Sequence, residues 1–180
     1  MKSSYKAAAK INLMLDILSR LDNGYHSLFM VMQSVSLFDR AEVVKTSGGG
    51  IKLLSNEKRI PCDETNIAHK AATAFFDYIG EKDRNISVYI EKNIPFAAGL
   101  AGGSADGAAI IAALNDIYSA GLSQKELCSI GVKVGADVPF CLTGGTRLVI
   151  LSGFTGIDKV QKRDEVLFFL RGLVPDVADQ

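Results

Sequence analysis

Along residues 5–18 apolar side chains mostly alternate with others: Ile11, Leu13, Leu15 and Ile17 against Lys10, Asn12, Met14 and Asp16. A period of two is that of a strand, and it puts Lys10 and Asn12 on the same face, opposite the apolar one. Asp22-Asn23-Gly24-Tyr25-His26 holds the Asn-Gly pair that favours a tight reversal, so the chain is expected to return as a second strand over residues 29–38. Short strands at 41–45 and 51–54, separated by Ser47-Gly48-Gly49-Gly50, complete a β-rich first third.

The period then changes. Ile67, Ala71, Ala74, Phe75, Tyr78 and Ile79 recur at helical spacing, with Thr65 or Asn66 as the cap and Gly80 as the stop. A strand over 86–91, alternating Ile86, Val88 and Ile90, precedes a glycine-rich stretch and a helix from about Ser104 to Tyr118. Ser123-Gln124-Lys125-Glu126 is a capping-box signature for a shorter helix carrying Leu127, Cys128 and Ile130, which ends between Gly131 and Gly135. Gly135-Ala136-Asp137-Val138-Pro139-Phe140 reads as a turn, in which Asp137 has the ordinary role of capping or hydrogen-bonding the backbone as one option. Thr143-Gly144-Gly145-Thr146 reads as a hairpin turn into a strand over 147–151, and a last apolar strand is expected at 166–170. A β-rich opening followed by helices predicts an α+β domain.

Composition narrows the partners more than the fold. At 180 residues, one well-buried core is expected, and a formal net charge of zero advertises neither nucleic acid nor an anionic membrane. Cys62, Cys128 and Cys141 are widely spaced and odd in number, as expected of reduced thiols filling a core in a cytoplasm. No apolar run reaches membrane-spanning length.

The stretch with the clearest chemistry is Ile94-Pro95-Phe96-Ala97-Ala98-Gly99-Leu100-Ala101-Gly102-Gly103-Ser104-Ala105-Asp106-Gly107. Glycines between a strand and a helix let backbone N–H groups turn toward one point, and the helix start adds unpaired donors and the positive end of its dipole. That suits a phosphate. The stretch lacks the lysine of the P-loop and the G-x-G-x-x-G spacing, so any neutralising charge must come from a metal ion or from elsewhere in the chain. The plain alternative is a tight turn whose small residues let helices pack closely.

The 95–109 stretch resembles the second motif of the GHMP kinases, Pro-x-x-x-Gly-Leu-x-Gly followed by small residues and serine. Ala9-Lys10-Ile11-Asn12-Leu13, Asp22-Asn23-Gly24-Tyr25-His26-Ser27-Leu28 and Gly135-Ala136-Asp137-Val138-Pro139-Phe140 resemble the branch of that family acting on a cytidine diphosphate-linked methylerythritol. The resemblance implies an α+β GHMP-kinase N-terminal domain over residues 1–155, with a sheet like that of ribosomal protein S5 domain 2, packed helices and a left-handed β-α-β unit. Residues 156–180 would be a divergent or truncated C-terminal segment. It implies ATP-dependent phosphorylation of an alcohol, with Lys10 and Asp137 catalytic and with Pro95, Ala97, Ala98, Gly99, Leu100, Ala101, Gly102, Gly103 and Ser104 around ATP. Ser104 would also contact Mg²⁺, and Asn12, Tyr25 and His26 would hold the substrate. Asp106 would be a first-turn helix acid. Another GHMP small-molecule kinase, or a nucleotide-binding fragment without turnover, are the competing readings, and self-association into a homodimer is left open.

Overall fold

The computed structural model describes residues 1–20 and 26–151, with the side chains of 17–20, 26–28 and 150–151 outside the description. Five strands and four helices follow in the order β1 (Lys2–Arg20), β2 (His26–Lys45), β3 (Ile51–Ser55), α1 (Ile67–Ile79), β4 (Ile86–Glu91), α2 (Gly102–Ile117), α3 (Gln124–Val134), α4 (Val138–Thr143) and β5 (Thr146–Leu151). The chain divides into two units, residues 1–11 with 34–145 and residues 12–33 with 146–180.

In the first unit β2 pairs antiparallel with β4, Val43 opposite Val88, and β4 pairs parallel with β3, Leu53 opposite Val88. β3, α1 and β4 therefore form a β-α-β unit within the strand order β1-β2-β4-β3. Alternation does what the pattern predicts here. Ala41, Val43, Leu53, Ile86, Val88 and Ile90 turn into one core with the helices, while Leu54 and Tyr89 face out. Phe75 and Phe76 of α1 are fully buried, and Phe76 meets Tyr118 edge-to-face at 5.3 Å between ring centroids. α1 starts at Asn66, whose side chain accepts from the Ala68 N–H, and stops at Gly80 in the left-handed region (φ 71°). α3 carries the complete Ser123–Glu126 capping box.

α2 is buried at nearly every position from Ala105 to Leu114, with small residues at 107–109 and the large side chains of Ile110, Ile111 and Leu114 beyond them. A methyl group on Gly107 would stand 3.0 Å from Ile67 Cγ2 and 3.5 Å from Ala71 Cβ, so α1 and α2 close on each other there. In the second unit the first half of β2 pairs antiparallel with β5, Phe29 opposite Ile150.

Several expectations change. Residues 29–38 and 41–45 belong to one strand, because β2 is long enough to keep a ladder partner at each end, β5 then β4. Residues 138–143, read as a turn and the approach to a hairpin, form α4, with Pro139 in its first turn where proline costs no hydrogen bond. Gly144 and Gly145, both with positive φ, therefore join a helix to β5 instead of two strands. Ile11, Leu13 and Leu15 are 36, 60 and 52% exposed, since alternation decides which way a side chain faces and not whether another layer covers it. Cys62 is exposed and fills no core. Residues 22–25 of the expected reversal and the 166–170 strand fall outside the described residues.

Candidate active site

β4 delivers the chain into residues 94–101, of which Pro95 to Gly99 are exposed. Three of these residues sit in the left-handed region, Ala97 (φ 56°), Gly99 (φ 74°) and Ala101 (φ 56°). Two are alanines, for which that conformation is strained by about 1–2 kcal/mol each. Ala101 is also the N-cap of α2 and has no side chain to satisfy the helix start. The first N–H groups of α2, at Gly102, Gly103 and Ser104, thus follow directly on a strained, exposed loop with no side-chain cap.

Lys10 reaches this loop through its own backbone, whose N–H donates to Leu100 O at 3.1 Å. Its side chain is 9% exposed, and Nζ lies 3.7 Å from Asp137 Oδ2. Asp137 occupies the N-cap position of α4 but makes no capping bond with its side chain, so the ordinary reading of this aspartate does not hold. α3 sets where α4 begins: a Cβ on Gly131 would come within 2.9 Å of Val138 Cγ1. Gly135 completes the approach to the loop, its Cβ position lying 3.9 Å from the Ser104 hydroxyl. A lysine, an aspartate and a helix start carrying a serine hydroxyl are gathered around one glycine loop.

Beside the same loop is a cavity of about 410 Å³ lined by Ile60, Pro61, Ile67, Ile94 and Phe96, by Lys92 and Asp106, and by the loop itself and Ser104. That volume is in the range of small-molecule sites, and its apolar walls beside backbone donors suit a flat ring attached to a phosphate chain.

Residues 66–145 match the family model described as the GHMP kinases N terminal domain. The chain is 49% identical over 141 residues to the 4-diphosphocytidyl-2-C-methyl-D-erythritol kinase of Clostridium acetobutylicum, covering 78% of this chain and 50% of that one. It is 50% identical over 143 residues to the protein of the same name from Carboxydothermus hydrogenoformans, covering 79% and 49%. Among solved structures, a 4-(cytidine 5'-diphospho)-2C-methyl-D-erythritol kinase superposes with a TM-score of 0.69 at 33% identity, over 82% of this chain and 52% of that one. A homoserine kinase from Cytophaga hutchinsonii shares the fold at 19% identity and a TM-score of 0.63, over 82% and 48%. The chain spans about half the length of the curated relatives it matches.

The predicted residues separate by position. Lys10, Asp137 and the stretch from Pro95 to Ser104 meet as described, although Lys10 lies outside the residues matched by the family model. Asn12 is exposed on β1 and belongs to the second unit. Tyr25 lies outside the described residues, as does the side chain of His26, which opens β2. Cys141, in α4, has its thiol pushed up to about 12 by burial, with Asp137 adding to the rise, so it stays protonated and unreactive.

Asp106 is not a first-turn acid. α2 begins at Gly102, which places Asp106 in the second turn, 3% exposed. Its Oδ2 accepts from Lys92 Nζ at 2.7 Å, and the same ammonium bonds Asp39, whose side chain is fully buried. Burial pushes the Asp106 carboxyl up to about 7 against the pull of Lys92, and Asp106 Oδ1 has no partner among the described residues. Burial works against the Lys92 charge, but Asp106 and Asp39 together hold it above the usual lysine range. This buried trio was missed because its members are spread over residues 39, 92 and 106, and no spacing in the sequence connects them. A lysine one residue after a predicted strand, just ahead of the loop, was the only available signal.

Proposed function

We propose that this GHMP domain takes part in transfer of the γ-phosphate of ATP to the 2-hydroxyl of 4-diphosphocytidyl-2-C-methyl-D-erythritol, a step of non-mevalonate isoprenoid precursor synthesis. The observation that carries the reading is the Lys10–Asp137 pair at 3.7 Å, with Lys10 bonded through its backbone to the glycine loop. The substrate follows from the names of relatives near 50% identity.

The uncapped start of α2 would take the phosphate oxygens on the N–H groups of Gly102, Gly103 and Ser104, with the loop from Pro95 through Ala97, Ala98, Gly99, Leu100 and Ala101 wrapped around them. The cavity beside Ile67 and Ile94 would seat the base. Asp137 would take the proton of the accepting hydroxyl as its oxygen attacks the γ-phosphorus and ADP departs. Lys10 would hold Asp137 in place and offset negative charge building on the transferring group.

A magnesium ion fits the donor set, because it keeps several waters and needs only one or two protein oxygens besides phosphate; the Ser104 hydroxyl, at the edge of the cavity, would be one. When bound, it would neutralise charge on the phosphate oxygens. Asn12, Tyr25 and His26 would orient the cytidine-linked substrate, the tyrosine by stacking and the other two by hydrogen bonds.

ATP consumption measured with the cytidine-linked substrate beside homoserine and mevalonate tests the reading. Turnover is expected with the first alone, falling by about 10²–10⁴-fold in Asp137→Asn with the KM for ATP little changed. Turnover only on another alcohol replaces the substrate assignment, and ATP binding with turnover on none supports a nucleotide-binding fragment.

A further inference from the structure

The glycine loop is strained and exposed, yet both of its ends are fixed by the same three buried charges. Asp39 lies within β2, a strand that neither enters nor leaves the loop, and it does not line the cavity. Its Oδ1 accepts from the backbone N–H groups of Asn93 and Ile94, at 2.5 and 2.7 Å, where β4 gives way to the loop. Its Oδ2 accepts from Lys92 Nζ, and Lys92 donates in turn to Asp106 on α2. A continuous set of charge-assisted bonds thus runs from β2, across the entrance of the loop, to the helix at its exit.

We propose that Asp39 is a positioning residue for the phosphate-binding loop: through Lys92 and Asp106 it fixes the separation between the strand end at Ile94 and the helix start at Gly102. The proposal rests on the nucleotide reading given above. Stability alone is a weak reason for such a cluster, since three charges each less than 10% exposed cost desolvation that apolar side chains would not incur. Fixed geometry is what the cluster adds. Gly102 is pressed into the closure, because a methyl group there would stand 3.1 Å from Ile94 Cγ2 and 3.2 Å from Lys92 Nζ. The other tie is the Lys10 N–H to Leu100 O, so a loop held at both ends also presents a fixed carbonyl to the strand that carries Lys10. Phosphate then meets amides that are already aimed, and binding does not have to order them.

Asp39→Asn keeps an oxygen for the two backbone donors and removes the charge that holds Lys92. Three measurements on the whole chain, wild type and variant, test the idea: affinity for ATP with Mg²⁺, affinity for adenosine, and amide exchange without nucleotide. The variant is expected to bind ATP about tenfold or more weakly. Its affinity for adenosine should stay within about twofold, and exchange should quicken at residues 94–104 while the core helices are unchanged. ATP affinity within about twofold of wild type, or equal losses for ATP and adenosine, overturns the proposal. If Asp39→Asn does not fold, Asp106→Asn cuts the same connection at its helix end and is judged by ATP affinity and by exchange at residues 94–104, because Asp106 itself lines the cavity. A wild-type chain that binds no ATP defeats the nucleotide reading itself, whereas equal binding by wild type and variant defeats only the role of Asp39.

Discussion

Replacing Gly131 by alanine tests whether the placement of Asp137 is set by helix clearance. The new methyl group would lie 2.9 Å from Val138 Cγ1 and 3.1 Å from Leu142 Cδ1. Leu142 can rotate away, but Val138 is β-branched and fully buried, so α4 must yield. The shift needed is about half an ångström, the shortfall from ordinary contact distance. Overpacking of this kind costs about 1–3 kcal/mol, and alanine in the interior of α3 returns about 1 kcal/mol of helix propensity. The net loss is up to about 2 kcal/mol, equivalent to a fall in Tm of at most about 8 °C for a chain of this size. Activity should suffer more than stability. Val138 adjoins Asp137, and a 1 Å error in a reacting group costs about a hundredfold, so a half-ångström shift predicts about a tenfold fall in kcat with an unchanged KM for ATP. Thermal melting and steady-state kinetics on the same preparation decide it. A raised Tm with normal kcat would show that propensity outweighs contact and that α3 does not locate the aspartate.

Two further outcomes concern the frame. Asn66→Ala removes the cap of α1, a 2.8 Å bond from the Ala68 N–H, and should cost about 1 kcal/mol, read as a fall of about 2–4 °C in Tm; an unchanged melt would mean that packing alone defines the helix start. The Tyr5 hydroxyl donates to Asp116 Oδ2 at 2.6 Å, and this bond, aided by burial and by the nearby carboxylate charge, pushes Tyr5 up to about 12 from 10. The folded chain therefore holds the Tyr5 proton more tightly than the unfolded one. The resulting stabilisation is complete below pH 10 and disappears as pH rises from 10 to 12. Phenolate absorbance should show a late-titrating tyrosine absent from Tyr5→Phe, and equal titration curves for the two proteins would contradict the assignment.

The sequence was most informative where one local rule decided the outcome. Helical spacing and the Asn66 and Gly80 signals defined α1, the capping box defined the start of α3, and alternation defined β4, since each depends on neighbours within one or two turns. The glycine stretch was readable as a strand-to-helix loop for the same reason. Packing of whole elements was less accessible. β2 runs unbroken because its partners come from residues 86–91 and 146–151, and α4 forms where a proline had suggested a turn. The approach of Lys10 to Asp137 came from family resemblance, because residues 127 positions apart share no local pattern. Asp106 was misjudged because its role depends on Lys92 and Asp39, which tertiary structure alone brings to it.

Ala101 stands where most helices carry serine, threonine or aspartate. A side chain of that kind would quiet the dangling amides of α2 and strengthen the empty protein, but it would also occupy the place of an incoming anion with an oxygen of its own. Here the helix tip is left unfinished, and under the proposed function a phosphate of ATP would complete it.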